Sequence, residues 1–219
     1  MLVSEIIQSS VPVLHFTDKV EDAITLLQNN SLQHLAVIDN ENYEGLISMD
    51  ELLSADEADT VDMLAAKLMH ISISDDQHIL AALRFITEYN VTALPVVSAS
   101  KEYLGVITET ILLQSLATFL SVEMPVGVFV LEMPNKKFSI GEICRLVETN
   151  DAFVTQVNTY TDHVSGMLMV TFRINKTEVS DVLATLQRYE YNVKYFFGEE
   201  HYQNKIKENF ENLMAYLNV

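Results

Sequence analysis

The sequence predicts a mixed α/β chain of 219 residues: two tandem helix–strand–strand–helix repeats packed as a pair, then a β-α-β-β-α-β domain and a final helix. Three observations predict it. "YEGLISMDELL" at 43–53 returns as "YLGVITETILL" at 103–113. Each copy follows a stretch with apolar residues at helical spacing, in the same offset. The charge balance also changes abruptly between Glu123 and Pro125.

Each element can be justified in order. In "DKVEDAITLLQNNS", Val20, Ala23, Ile24 and Leu27 fall at i, i+3, i+4 and i+7, one stripe of an amphipathic helix. In "QHILAALRFITEYN", Ile79, Ala82, Leu83 and Ile86 repeat that spacing 59 residues later. A short apolar strand follows each helix, "HLAVID" at 34–39 and "ALPVVS" at 93–98. A polar turn comes next, "NEN" or "ASKE", then a second strand, "GLIS" or "GVIT", and a further helix. A single unit would leave an apolar face bare, so two units must pack together. The acidic run "ADEADTVD" at 55–62 reads as a solvated linker and helix start between them.

Composition bounds the function. The length suits two or three small domains and can bury a core without disulfides. Cys144 is the single cysteine, so it has no internal partner for a disulfide or a zinc knuckle. No apolar run approaches the ~18 residues that span a bilayer, and "MLVSEIIQSS" lacks the basic start of a signal peptide. A cytoplasmic protein is expected. The net charge of −18 excludes nucleic acid and an anionic membrane surface as partners. Residues 1–124 hold 4 Lys+Arg against 19 Asp+Glu, whereas 125–219 hold 9 against 12. That shift marks a domain boundary. The six histidines, at 15, 34, 70, 78, 163 and 201, show no helical pairing for a metal site. They read as surface or half-buried side chains, and no metal is expected. A nucleophile elbow, a P-loop, an HExxH motif and a dinucleotide fingerprint are all missing, so no enzyme is expected.

The repeat, carried by "HLAVIDNENYEGLISMDELL" (34–53) and "ALPVVSASKEYLGVITETILL" (93–113), resembles the CBS motif, and the pair resembles a Bateman module. The resemblance covers roughly residues 1–122, with repeats at 1–60 and 61–124. It implies a regulatory module that binds an adenosine-type ligand, such as AMP, ATP or S-adenosylmethionine, in the cleft between repeats. The family's ribose contact is Gly-hydrophobic-hydrophobic-Thr/Ser-x-x-Asp. Here it reads Gly45-Leu46-Ile47-Ser48-Met49-Asp50-Glu51 and Gly105-Val106-Ile107-Thr108-Glu109-Thr110-Ile111. The resemblance thus places candidate ligand contacts at Ser48, Asp50, Glu51, Thr108 and Pro95. Ile111 cannot bind a diol, so the second half-site is altered. Ser48-x-x-Glu51 is equally a capping box and Thr108 an N-cap; the two roles are compatible, and the residues alone leave both open. The first 124 residues offer only Lys19, Lys67, Arg84 and Lys101 as cations. Their net charge of −15 suits S-adenosylmethionine better than bare ATP.

In the third segment, 125–198, "VGVFVLEM" reads as a strand and "SIGEICRLVETN" as a helix opened by another Ser-x-x-Glu box. "AFVTQVNTY" and "GMLMVTFRI" read as two strands joined by "TDHVS". "EVSDVLATLQRY" sets Val179, Val182, Leu183 and Leu186 on one helix face, and "YNVKYFF" closes as a strand. The order is the ferredoxin-like split βαβ pattern. It resembles an ACT-type regulatory domain, which implies an amino-acid site near the turn after the first strand, here Pro134-Asn135 in "MPNKKFS". Asn135 stands where that family has glycine. The segment 199–219 reads as an amphipathic helix with Ile206, Phe210, Leu213, Met214 and Leu217 along one side. The combined order resembles small accessory proteins of the acetoin-utilisation type.

The resulting expectation is a non-enzymatic, homodimeric sensor that acts through its ACT-like domain or an unknown protein partner. Two alternatives stand beside it: a dimeric interaction scaffold with degenerate ligand sites, and an amino-acid sensor using the ACT-like domain.

Overall fold

The computed structural model describes residues 1–198; the expected C-terminal helix lies outside the described residues. The chain divides into two compact units, Met1–Ser121 and Val122–Val219.

The first unit contains both repeats. Repeat 1 runs β1 (Leu14–His15), α1 (Val20–Asn29), β2 (His34–Asp39), β3 (Asn42–Ser48) and α2 (Met49–Leu53). Repeat 2 runs β4 (Ile73–Ser74), α3 (Ile79–Tyr89), β5 (Ala93–Val97), β6 (Tyr103–Thr108) and α4 (Glu109–Phe119). Each forms a three-stranded sheet, β1-β2-β3 or β4-β5-β6, with a parallel first pair and an antiparallel second. Between the repeats lies a 3-10 stretch, Val61–Lys67.

Helix α1 buries Val20, Ala23 and Leu27 of its expected stripe, and α3 buries Ile79, Ala82 and Ile86. Leu83 departs from expectation: it is 38% exposed, as is Leu80 at 49%. The stripe on α3 is narrower than the sequence suggests, because only the i, i+3 and i+7 positions face the sheet. Asn90 closes α3 in the left-handed region, φ 52°, where asparagine is tolerated better than most residues.

The two repeats share their interiors. Leu46 of β3 is fully buried in the cluster built on Ile79, Leu94 and Ile107. Ala93 and Val106 of repeat 2 are buried in the cluster built on Leu14, Leu27 and Ile47. Each fully buried aliphatic side chain contributes about 1.5–3 kcal/mol, so neither repeat retains its full core alone. Backbone pairing reinforces the exchange at the turns. Tyr43 N–H donates to the Lys101 carbonyl at 3.3 Å, and Tyr103 N–H donates to the Glu41 carbonyl at 2.8 Å.

A leader segment adds to each sheet. Gln8 pairs with Val106, exchanging bonds of 2.9 and 3.0 Å; Met69 pairs with Leu46, exchanging two bonds of 2.9 Å. Both pairings depend on a glycine. A Cβ on Gly105 would meet Ile7 Cγ2 at 2.5 Å and the Gln8 carbonyl oxygen at 2.7 Å; one on Gly45 would meet Leu68 Cβ at 2.7 Å.

The second unit runs β7 (Gly127–Met133), α5 (Ile140–Glu148), β8 (Val154–Thr161), β9 (Leu168–Ile174), α6 (Ser180–Arg188) and β10 (Asn192–Phe197). Its sheet has the order β10-β7-β9-β8, antiparallel throughout. Alternate residues Phe129, Leu131 and Met133 of β7 and Val170, Phe172 and Ile174 of β9 are buried against both helices, the period-2 pattern of a strand. Phe129 and Phe172 stack at 5.1 Å. Val179, Val182, Leu183 and Leu186 are all buried here. The expected box at Ser139 does not form: its side chain makes no capping bond. Burial, helped by the nearby Glu142 carboxylate, raises the Tyr191 phenol above its usual pKa.

Among the described residues no helix is long and apolar enough to cross a membrane. No group of three or more His, Cys, Asp or Glu side chains among them could hold a metal ion.

Candidate functional site

The strands of the first unit deliver polar residues to the seam between its repeats. His34 starts β2 and Ser48 ends β3, opposite each other in the ladder. Thr92 precedes β5 from the other repeat. Ser48 caps the five-residue α2, accepting from the Glu51 N–H at 3.2 Å. That places Met49 and Asp50 in the first turn, at the seam.

These residues enclose a cavity of about 370 Å³, within the ~300–1,000 Å³ of small-molecule sites. Repeat 1 supplies Gln33, His34, Ser48, Met49 and Asp50; repeat 2 supplies Tyr89, Asn90 and Thr92, with Met69 from the leader segment. A latch crosses the cavity. Thr92 N–H donates to His34 Nδ1 at 3.2 Å, and Gln33 N–H donates to Thr92 Oγ1 at 3.0 Å. Burial pushes the His34 imidazole below its ordinary pKa, against a weaker upward pull from Asp50.

The structure brings Ser48 and Asp50 into this cavity and leaves Glu51 out of its lining. Glu51 pairs with Lys67 at 2.8 Å, both side chains well exposed. Only half of the expected capping box exists, since the carboxylate that would bond back to Ser48 is held by Lys67. Thr108 caps α4 through the Ile111 N–H at 3.4 Å, and its hydroxyl donates to Gln8 Oε1 at 2.8 Å. Pro95 is buried in β5 opposite Val106, apart from the cavity.

Asp50, Ser48 and Glu51 of repeat 1 correspond to Thr110, Thr108 and Ile111 of repeat 2; His34 corresponds to Ala93. The mirror position therefore keeps a hydroxyl, at Thr108, but lacks the carboxylate and the imidazole. Sequence reasoning passed over His34 and Thr92. For His34 a signal exists in the first residue of the paired strands, His in "HLAVID" against Ala in "ALPVVS"; Thr92 has no such signal.

The second unit holds a cavity of its own, about 380 Å³, lined by Pro134, Lys137, Glu142 and Tyr191 among others. Asn135 lies in the same 3-10 turn, exposed, and does not line it.

The CBS domain family model matches residues 3–58 and 65–118, the two repeats and half of the chain. The chain belongs to the CBS domain family. Its CBS pair is similar in fold to a CBS domain pair/ACT domain protein from Thermotoga maritima, with a TM-score of 0.50 and 20% identity, over 55% of this chain and 99% of that one. A protein from Vibrio cholerae named for acetoin utilization matches at a TM-score of 0.47 and 21% identity, over 56% and 95% of the two chains. CBSX2, solved in complex with AMP, matches at 0.44 and 22%, over 56% and 98%. By its family match the first unit is a CBS pair, a regulatory, ligand-sensing type of module.

Proposed function

We propose that the CBS pair senses an adenosine-type metabolite and passes its occupancy to the ACT-like C-terminal unit or to a partner protein. The protein acts in the cytoplasm, without catalysis, as a homodimer. The observation that supports this reading best is the seam cavity, built jointly by both repeats and polar at Ser48, Asp50 and His34. A ligand there touches both repeats at once. Any difference in its affinity for two arrangements of the repeats then becomes a signal. Ser48 and Asp50 offer a hydroxyl and a carboxylate, the pair of groups a ribose diol would use. Both sit on a rigid strand–helix corner.

The test is a thermal-shift series with AMP, ADP, ATP with magnesium, and S-adenosylmethionine. A ligand at ~100 times its dissociation constant stabilises the native state by about 2.7 kcal/mol. A rise in Tm with an adenosine compound, lost in Asp50→Asn, supports the reading. Silence from all four compounds removes it.

The cavity of the second unit favours one further reading, an amino-acid site near Pro134. Lys137 offers a cation for a carboxylate, and Glu142 an anion for an ammonium group. That reading predicts a Tm rise with an amino acid that survives Asp50→Asn and is lost in Lys137→Ala.

A further inference from the structure

The imidazole of His34 is held in one proton state by its neighbour. A backbone N–H can only donate, so the 3.2 Å bond from Thr92 makes Nδ1 an acceptor without a proton. Thr92 Oγ1 lies 3.3 Å from the same nitrogen. That hydroxyl already accepts from Gln33, which leaves its own proton for Nδ1. The ring proton of the neutral imidazole therefore sits on Nε2. Among the described residues nothing bonds Nε2, and His34 lines the seam cavity.

The charge around it is one-sided. Asp50, from the start of α2, is the charged residue lining the cavity. Ser48 from β3, Tyr89 and Asn90 from the end of α3, Met69 from the leader and Thr92 before β5 are uncharged. Lys67, two residues from the lining Met69, is spent on Glu51 outside the lining.

We propose that His34 sets what the cleft accepts: an uncharged or cationic nucleoside-type ligand, free of phosphate in the cavity, that places a hydrogen-bond acceptor on Nε2–H. The inference builds on the reading of this cleft as an adenosine-type site and narrows it. A fixed neutral donor beside a carboxylate recognises a polar edge carrying one acceptor and one donor. A phosphate would meet Asp50 with no Lys or Arg to offset it, inside a unit already strongly acidic. Acidification then weakens binding for a geometric reason. A proton arriving on Nδ1 must displace the Thr92 N–H, which breaks that bond of the latch and leaves the one from Gln33.

Two measurements on the full-length protein test this. Long-range ¹H–¹⁵N NMR of the histidine side chains reads the tautomer without any ligand, with His34 assigned by its loss in His34→Gln. A proton on Nε2 at pH 7.5 is expected; a proton on Nδ1 overturns the inference. Calorimetry then compares adenosine, S-adenosylmethionine, AMP and ATP on the wild type, His34→Phe and His34→Gln, each shown to be folded by its melt. Adenosine and S-adenosylmethionine are expected to bind at least tenfold more tightly than ATP. His34→Phe is expected to lose tenfold or more. His34→Gln, whose amide nitrogen reaches the place of Nε2, is expected to recover most of it. Equal affinity for ATP, or full affinity in His34→Phe, overturns the inference while the adenosine reading stands. No binding by the wild type to any of the four overturns both.

Discussion

Tyr43 and Tyr103 occupy corresponding places in the two repeats, yet their hydroxyls meet different fates. Tyr43 Oη donates to the Ile71 carbonyl at 2.6 Å, with the Met69 carbonyl at 3.3 Å beside it. Tyr103 Oη is buried and has no hydrogen-bond partner among the described residues. Burial raises both phenols well above their usual pKa, so both stay protonated. A buried, unpaired hydroxyl costs about 1–3 kcal/mol, whereas a made bond contributes about 1 kcal/mol. Tyr103→Phe is therefore expected to leave stability unchanged or raise it, and Tyr43→Phe to lower it by about 1 kcal/mol. Urea midpoints of the two variants check this; equal losses would show that the two sites are equivalent after all. His34 gives a second prediction. Its folded pKa lies below the unfolded value of about 6.5. Between those two values the unfolded chain binds more protons, so stability falls as pH drops below about 6.5. His34→Gln should flatten that slope in a melt series from pH 7.5 to 5. At this scale the sequence was only partly readable. Ser48-x-x-Glu51 had two meanings at the same spacing, and only the fold shows Glu51 held by Lys67, sixteen residues on. His34 carried no local pattern at all, because its partner Thr92 is 58 residues away.

The elements were far more legible, because each is written in a local period. The helices announce themselves at i, i+3 and i+7 and the strands of the second unit by alternation. Duplication then confirms each assignment in the first unit. What no period encodes is the way the leader segments join the sheets. Ile7-Gln8 and Leu68-Met69 are too short to show a pattern, and their pairing with β6 and β3 is fixed from outside by two glycines. Gly105 is the stricter of the two. It adopts φ +143°, and its missing Cβ makes room for a backbone carbonyl as well as a side chain. At Gly45 the three nearest atoms all belong to the Leu68 side chain. Gly105→Ala must pay for a backbone conformation that costs about 1–3 kcal/mol in other residues and must also displace Gln8. It is expected to destabilise the first unit by more than Gly45→Ala does, in side-by-side thermal melts. It should also free the Thr108 hydroxyl from Gln8. Hydrogen exchange at the Gln8 and Val106 amides reports that release. Protection retained at both amides in Gly105→Ala would show that the leader tolerates a Cβ there.

For the whole molecule, charge and exposed apolar surface pull in opposite directions. Helix α3 leaves Leu80 and Leu83 exposed, and α4 leaves Leu113 70% and Phe119 42% exposed. Exposed apolar side chains on neighbouring helices are what an association site would use. The chain nevertheless carries a net −18, and two copies brought together repel through the field of every carboxylate. That repulsion is long-ranged, with a Debye length of about 30 Å at 0.01 M salt and about 8 Å at 0.15 M. Burial of the apolar surface is short-ranged and insensitive to such salt. The proposed homodimer should therefore tighten as salt rises from 0.01 to 0.15 M, the reverse of an assembly held by ion pairs. Sedimentation equilibrium of the 24.8 kDa chain checks this. The expected result is a dimer mass at 0.15 M salt, with a dissociation constant at least tenfold weaker at 0.01 M. Leu113→Glu adds a charge at the most exposed of these leucines and should shift the protein to monomer at both salts. A monomer mass for the wild type at 0.15 M would leave α3 and α4 without a second copy to cover them, and the sensor would have to act on a different protein directly.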